Sequence, residues 1–124
     1  MKQSQDVLII RTHGEGNHNI TEEVTEWVER QGIAEGLLTL FIQHISASLV
    51  VRETADRDDL HAFFRRLEGD DEFEVRNPPY IRNVHLALPV RAGRLALGAR
   101  QGLYVFEHRE TPHTRNIVLH LIGR

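Results

Sequence analysis

Histidine is the residue type that first suggests chemistry in this sequence, because eight histidines occur among 124 residues. Histidine titrates near neutral pH and is a common metal ligand. His44 is the strongest candidate, because it follows the apolar segment 37–42 and opens a turn that carries the hydroxyls of Ser46 and Ser48. Small residues at the end of a strand leave room for a ligand. We therefore expect His44 either to bind a ligand or to be a partly buried histidine that hydrogen-bonds to the backbone.

Three carboxylates are placed where they could complete such a site, and each also has a simpler explanation. Glu53 and Asp56 follow His44 closely in the sequence, so a strand, a turn and a helix start could bring them towards it. Alternatively, Glu53 is a surface carboxylate and Asp56 is a helix cap. Glu107 ends the apolar segment 103–106 and shares an alternating face with two of its residues. It points either inward, where it needs a partner such as a cation or a histidine, or into water at the sheet rim.

Composition and motifs exclude several kinds of site and partner. The chain has no cysteine, so thiolate zinc sites, iron–sulfur clusters and disulfides are excluded, and a metal must use His, Asp or Glu. Neither H-E-x-x-H nor H-x-H spacing occurs. The 15 Lys and Arg against 18 Asp and Glu give a net charge of −3, which predicts no binding to nucleic acid. No segment approaches the roughly 18 apolar residues of a membrane span, so we expect a cytoplasmic protein without membrane contact.

Two segments show the periodicity of amphipathic helices, which must help to position these side chains. In 21–30 the apolar residues form one stripe opposite a row of glutamates, and Gly32 follows as a stop signal. In 56–67 apolar residues recur at the spacing i, i+3, i+4 and i+7, and Asp56 is the expected N-cap. The sequence therefore predicts two helices, both in the first half of the chain.

The remaining apolar segments are typical of strands, since they are short, rich in β-branched residues or alternating. They cover 7–12, 37–42, 48–52, 84–90, 94–97, 103–107 and 117–122. The polar stretch 13–19 is predicted to be a turn, and the successive prolines within 68–82 predict a loop. We expect one domain over 1–124 of the α+β class, a largely antiparallel β-sheet sandwich with two packed helices.

Two motifs resemble those of a known family. The segment from His44 to Asp56, H-I-S-A-S-L-V-V-R-E-T-A-D, resembles the H-T-T-A-x-L-x-x-N-E-N-A-D motif of the YjbQ family, which is called the secondary thiamine-phosphate synthase family. The segment from Gly93 to Glu107 is similar to the family's D-G-R-L-A-L-G-T-W-Q-G-I-Y-L-C-E-F. Because the order of the other elements also fits, as does Arg115 before the last strand, the resemblance covers nearly the whole chain.

The resemblance implies an α+β sandwich-like domain that assembles as a homotrimer. It implies a site near subunit boundaries that binds a metal ion and anions, and thiamine-phosphate formation in some members. His44 would then be a metal ligand, for zinc or manganese, or a general base. The other positions carried over are the carboxylates Glu53, Asp56 and Glu107 as catalytic residues, and Gln101, Arg100 and Arg115 as binding residues for a small phosphorylated ligand.

The sequence also departs from the family pattern. A D-G-N-x-x-A-H-I-K-A segment usually supplies a second histidine, but residues 75–85 here read V-R-N-P-P-Y-I-R-N-V-H. The family's Trp is Arg100, and its Thr-Thr is Ile45 and Ser46. Two hypotheses follow. The first is a His/carboxylate site for a metal or a small phosphorylated ligand, with thiamine-phosphate synthase-like activity. The second is a non-catalytic homotrimeric structural or binding module that has lost the family site.

Overall fold

The computed structural model describes residues 1–53 and 83–124. The predicted helix 56–67, with its predicted cap Asp56, and the whole predicted loop 68–82 lie outside the described residues. Within the described part, one helix is present, α1 (Thr21–Arg30). Of the two predicted packed helices, the one over 21–30 is confirmed. The fold of the described residues is mainly antiparallel β-sheet with this helix packed against it.

Eight strands occupy the described part of the chain. They are β1 (Lys2–Thr12), β2 (Gly16–Asn19), β3 (Gly36–Ile42), β4 (Ala47–Glu53), β5 (His85–Arg91), β6 (Arg94–Leu95), β7 (Gln101–Glu107) and β8 (His113–Gly123). The larger sheet has the order β1-β8-β3-β5-β6 and the smaller sheet the order β2-β7-β4. All paired strands are antiparallel.

The strand bounds differ from the sequence prediction where side chains are polar. β1 begins at Lys2 and β8 at His113, both four or more residues before the apolar segments, because the two strands pair along their full length through backbone hydrogen bonds. The predicted turn 13–19 contains β2, which pairs with β7. The predicted strand 94–97 is shortened to β6.

The apolar side chains of both sheets and of α1 form one buried cluster. Helix α1 contributes Val24, Trp27 and Val28, each at most 5% exposed, as its apolar stripe predicts. The indole nitrogen of Trp27 donates a hydrogen bond to Asp6 of β1 at 3.1 Å. No helix of the described residues is long and apolar enough to cross a membrane.

The inward faces of three strands change from apolar to polar at the same end of the core. Along β7 the buried residue Val105 is followed two positions later by buried Glu107, and along β8 buried Ile117 is preceded by buried Arg115. Along β1, Ile10 is followed by buried Thr12. Because alternate residues of a strand share one face, this end of the interior receives three polar side chains.

Candidate functional site

The centre of the polar end is an ion pair between Glu107 and Arg115, which are 1% and 3% exposed. Arg115 binds the carboxylate side-on, through Nε to Oε1 at 2.8 Å and through Nη2 to Oε2. Glu107 therefore points inward, and the alternative of a rim carboxylate in water is wrong. Its partner is the cationic guanidinium of Arg115.

The carboxylate of Glu107 has no acceptor position left for another ligand. Besides the two bonds from Arg115, Oε1 accepts from the Thr12 hydroxyl at 2.6 Å, and Oε2 accepts from the Arg109 amide at 3.1 Å. Four hydrogen bonds saturate the lone pairs that a carboxylate offers.

The same contacts set the ionisation of Glu107. Burial raises the pKa of the carboxyl. The hydrogen bonds from Arg115, Thr12 and the Arg109 amide, together with the charge of Arg115, lower this pKa by a larger amount. The net result is a pKa below the ordinary value, so the pair is ionic at neutral pH.

His44 lies beside this pair, in the turn between β3 and β4. The backbone amide of Asn116 in β8 donates to its Nε2 at 3.2 Å. Because a backbone amide can only donate, the neutral ring carries its proton on Nδ1. The expected backbone-bonded histidine is thus present, and it leaves the Nδ1–H group as a donor.

The pKa of His44 is lowered from 6.5. The main cause is burial, and the positive charge of Arg115 adds to it, while Glu107 acts in the opposite direction. His44 is therefore held in its neutral form at neutral pH.

A cleft of about 590 Å³ opens over these side chains. His44, Ser46 and Arg115 line it together. The Oγ of Ser46 accepts from Arg115 Nη2 at 2.9 Å, so its own proton is directed elsewhere. Within the described part of the chain, neither Arg115 Nη1 nor His44 Nδ1 has a hydrogen-bond partner. The cleft therefore offers donors from three side chains.

This donor set does not fit a divalent metal ion. A metal needs lone pairs, whereas His44 uses that of Nε2 for Asn116, and Glu107 is saturated. Among residues 1–53 and 83–124, no three His, Cys, Asp or Glu side chains are close enough to hold a metal. Zinc or manganese on His44 thus finds no support in the described geometry.

Three other predicted site residues, Glu53, Arg100 and Gln101, lie at the opposite end of the smaller sheet. Glu53 pairs with Gln101 where β4 ends and β7 begins, whereas Glu107 ends β7 opposite Ala47. Six residues of extended strand span about 20 Å, so the described chain does not bring Glu53 to His44. Arg100 and Gln101 are exposed, and the Gln101 side chain accepts from the Gly98 amide at 2.8 Å, closing a turn. Asp56 lies outside the described residues.

Sequence reasoning missed two members of the site. Thr12 fixes Glu107, and the signal for it was the alternation from Ile10, which places position 12 inward. The backbone amide of Asn116 fixes His44. Because any residue other than proline carries this amide, the residue type gives no signal of the role. A further pair, Ser48 with His108 Nε2 at 2.7 Å, lies beside this end of β4 and β7.

Comparison with known proteins identifies the family. The family described as UPF0047 protein YjbQ-like matches residues 6–124. The chain belongs to the YjbQ family. Among YjbQ relatives, it is 36% identical to a UPF0047 protein of Synechocystis over 98% of this chain and 93% of the relative. It is 34% identical to UPF0047 protein YjbQ of Salmonella typhimurium over 96% of this chain and 97% of that protein.

Solved structures of similar proteins agree on the fold. A hypothetical protein from Aeropyrum pernix K1 superposes with a TM-score of 0.81 at 24% identity, covering 98% of this chain and 99% of its own. A YbjQ-like protein of unknown function from Sulfolobus solfataricus P2 gives a TM-score of 0.79 at 20% identity over 99% and 100% of the two chains. At these identities the likeness extends to the YjbQ fold alone.

Proposed function

We propose that this YjbQ-family protein binds a small phosphorylated ligand in the cleft lined by His44, Ser46 and Arg115, within the cytoplasm. The supporting observation is that the cleft presents hydrogen-bond donors from all three side chains and that one of them carries a buried positive charge. Phosphate oxygens are acceptors that suit an arginine edge. Glu107 and Thr12 hold Arg115 in place, so its Nη1 group is oriented before the ligand arrives.

The finer form of the proposal concerns the reaction. The family resemblance implies coupling of a pyrimidine diphosphate to a thiazole phosphate with release of pyrophosphate. In such a reaction Arg115 would bind a phosphate, and His44 would donate from Nδ1 to a phosphate oxygen. The role of general base is less well supported for His44, because its Nε2 lone pair is engaged by Asn116.

Binding is tested by titrating the protein with inorganic phosphate and pyrophosphate while following amide resonances by NMR. The His44→Ala variant is expected to bind either anion at least tenfold more weakly, since one hydrogen bond to a charged group contributes about 1.5–3 kcal/mol. The control is His13→Ala, an exposed histidine outside the cleft, which should bind like the parent protein. Equal affinity in both variants would contradict the proposed site.

Activity is tested separately. The protein is incubated with the pyrimidine diphosphate, the thiazole phosphate and magnesium, and thiamine phosphate is measured by chromatography. Product that disappears in the His44→Ala variant supports the finer proposal. Binding without product supports ligand binding by a non-catalytic protein.

A second candidate function, a homotrimeric structural or binding module, is favoured by the outer face of the larger sheet. Apolar side chains from the two strands on either side of β8 are 46–65% exposed there, namely Val7 and Ile9 of β1 and Leu37 and Phe41 of β3. Val7 and Phe41 flank Val118 of β8 in one row across the sheet. An exposed apolar sheet of this kind is typical of a subunit interface, and a second copy of this chain is the occupant that the family resemblance implies.

Light scattering tests the assembly. We expect the parent protein to form a particle of about three times the 14.3 kDa chain mass. Ile9→Arg should lower the particle mass, because it places a charge in the apolar face. Glu22→Arg on the exposed side of α1 is the matched control and should leave the mass unchanged. A monomeric parent protein would contradict the module proposal.

A further inference from the structure

The outer face of the larger sheet places a histidine between its apolar residues. His120 follows Val118 by two positions along β8, so strand alternation puts both side chains on this face. Its register partners are Gln5 of β1 and Thr39 of β3. Ile122 continues the same face two positions further on. His120 therefore lies within the face that the module proposal covers with a second copy of this chain.

The ring of His120 makes a hydrogen bond that suits its neutral form. Its Nε2 lies 3.0 Å from Oε1 of Gln3, on the adjacent strand β1. An amide oxygen can only accept, so Nε2 carries the proton of the neutral ring and Nδ1 carries the lone pair. Protonation would add a second N–H group at Nδ1 together with a full charge. Within residues 1–53 and 83–124, no group accepts a hydrogen bond from Nδ1.

The described residues around His120 provide no negative charge that could balance an imidazolium. Asp6 belongs to the opposite face of β1, where it accepts from the indole nitrogen of Trp27. Glu35 pairs with Arg124 just before β3 begins. It lies four residues along the strand from Thr39, which corresponds to about 13 Å. The other charged or titratable side chains that the described strands place on this face are cationic or neutral, namely Arg11 of β1 and His85 and Arg91 of β5.

Covering this face with another copy has opposite consequences for the two forms of the ring. The neutral ring keeps its bond to Gln3 and adds to the area removed from water. The imidazolium would lose its water without gaining a counter-ion, which is strongly unfavourable. Because an imidazole in water takes up a proton near pH 6.5, the change falls between pH 7.5 and pH 5.5.

We infer that protonation of His120 separates the subunits, so that the outer face of the larger sheet is a subunit interface while the ring is neutral. This inference rests on the homotrimeric module of the proposed function and adds its regulation by pH. The isolated chain takes up a proton at His120 that the assembled chain excludes. A trimer excludes three such protons, so its association constant falls by up to about a thousandfold for each pH unit below the point at which the ring titrates.

The test measures the particle mass of the full chain by light scattering at pH 7.5 and at pH 5.5, at one protein concentration and one ionic strength. The parent protein is expected to form a particle of about three times the chain mass at pH 7.5 and to approach the 14.3 kDa of one chain at pH 5.5. Far-ultraviolet circular dichroism should be the same at both pH values, because the subunits separate without unfolding.

Two variants remove the titrating group in different ways. His120→Gln keeps a polar side chain that can still bond to Gln3, and His120→Leu extends the apolar face. Neither side chain titrates, so both variants should remain assembled at pH 5.5. The matched control is His13→Gln, which changes an exposed histidine outside the strands of the larger sheet and should respond to pH like the parent protein.

The outcomes separate this inference from the proposed function. A parent protein that is trimeric at both pH values would overturn the inference and leave the module proposal intact. A loss of mass at pH 5.5 that persists in both His120→Gln and His120→Leu would also overturn it, because other groups would then cause the separation. A parent protein that is monomeric at both pH values would refute the module proposal itself, and this inference with it.

Discussion

Glu107 and Arg115 meet at the end of an apolar core, where an ionised group without a partner would cost several kcal/mol. Four hydrogen bonds on the carboxylate and the side-on arginine offset that cost. Arg115, held by this pair, is also one of the residues that line the cleft. One buried contact therefore serves both the stability of this end of the core and the geometry of the candidate site.

The first prediction follows from this pair. Glu107→Gln removes the negative charge, keeps the side-chain size and leaves Arg115 buried without a counter-ion. We expect the free energy of unfolding, measured by urea denaturation, to fall by about 3–5 kcal/mol. The control Glu110→Gln changes an exposed carboxylate and should change the free energy of unfolding by less than about 0.5 kcal/mol. Similar small shifts in both variants would mean that Glu107 is in water.

The second prediction concerns pH. The folded protein lowers the pKa of His44 from 6.5, so the unfolded chain takes up the proton first on acidification. The stability due to neutral His44 is complete above pH 6.5, and it is lost as the pH falls from there through the lower pKa of the folded state. Glu107 behaves in the same sense at lower pH, because its folded pKa lies below 4.5.

His44→Gln tests the histidine part, because glutamine can still accept from Asn116 but does not titrate. Unfolding free energies are compared at pH 7.5 and pH 5.5. The decrease in the free energy of unfolding between pH 7.5 and pH 5.5 should be smaller in the variant than in the parent protein. An NMR titration of the parent protein should give a pKa below 6.5 for the His44 ring. An equal loss in both proteins would mean that other groups cause the dependence.

At the scale of elements, the apolar patterns predicted the bounds of strands closely where the paired residues are themselves apolar. Helix α1 has the predicted bounds, and β3 and β7 are extended by only one or two residues. The start of β8 could not be predicted, because residues 113–116 carry no apolar signal and are in the strand only through pairing with β1. Arg115 was therefore placed before the last strand, although it shares the inward face of Ile117.

The third prediction tests how closely β3 and β8 approach. Gly36 and Gly123 are paired across these strands, and a Cβ on Gly123 would overlap the carbonyl of Glu35 and lie 2.6 Å from the Gly36 Cα. Backbone atoms cannot rotate away, so Gly123→Ala should lower the free energy of unfolding by about 1–3 kcal/mol. In the control Gly98→Ala the new methyl group meets only the flexible Gln101 side chain, at 3.2 Å. Equal effects in the two variants would contradict the close approach.

At the scale of the whole molecule, the site depends on which strands become neighbours. Thr12 and Glu107 are 95 positions apart in the sequence but share a hydrogen bond, because β1 and β7 bring their polar ends together from different sheets. Local periodicity indicates which residues share a face, but it does not give the order of strands. Glu53 was grouped with His44 because it follows closely in the sequence, and Gln101 because the family resemblance implied it. Their pairing with each other places both at the other end of the smaller sheet.

The last prediction concerns the response of the folded molecule to a metal and to an anion. A ligand that binds only the folded state raises the melting temperature. Since the described cleft offers donors instead of lone pairs, phosphate should raise the melting temperature, while zinc or manganese should change it by less than about 1 °C. Elemental analysis of protein purified without an affinity tag should likewise find no stoichiometric metal. If a metal does raise the melting temperature and His44→Ala abolishes the shift, the ring must leave Asn116 to ligate it, and the donor arrangement that supports phosphate binding would then be the wrong one.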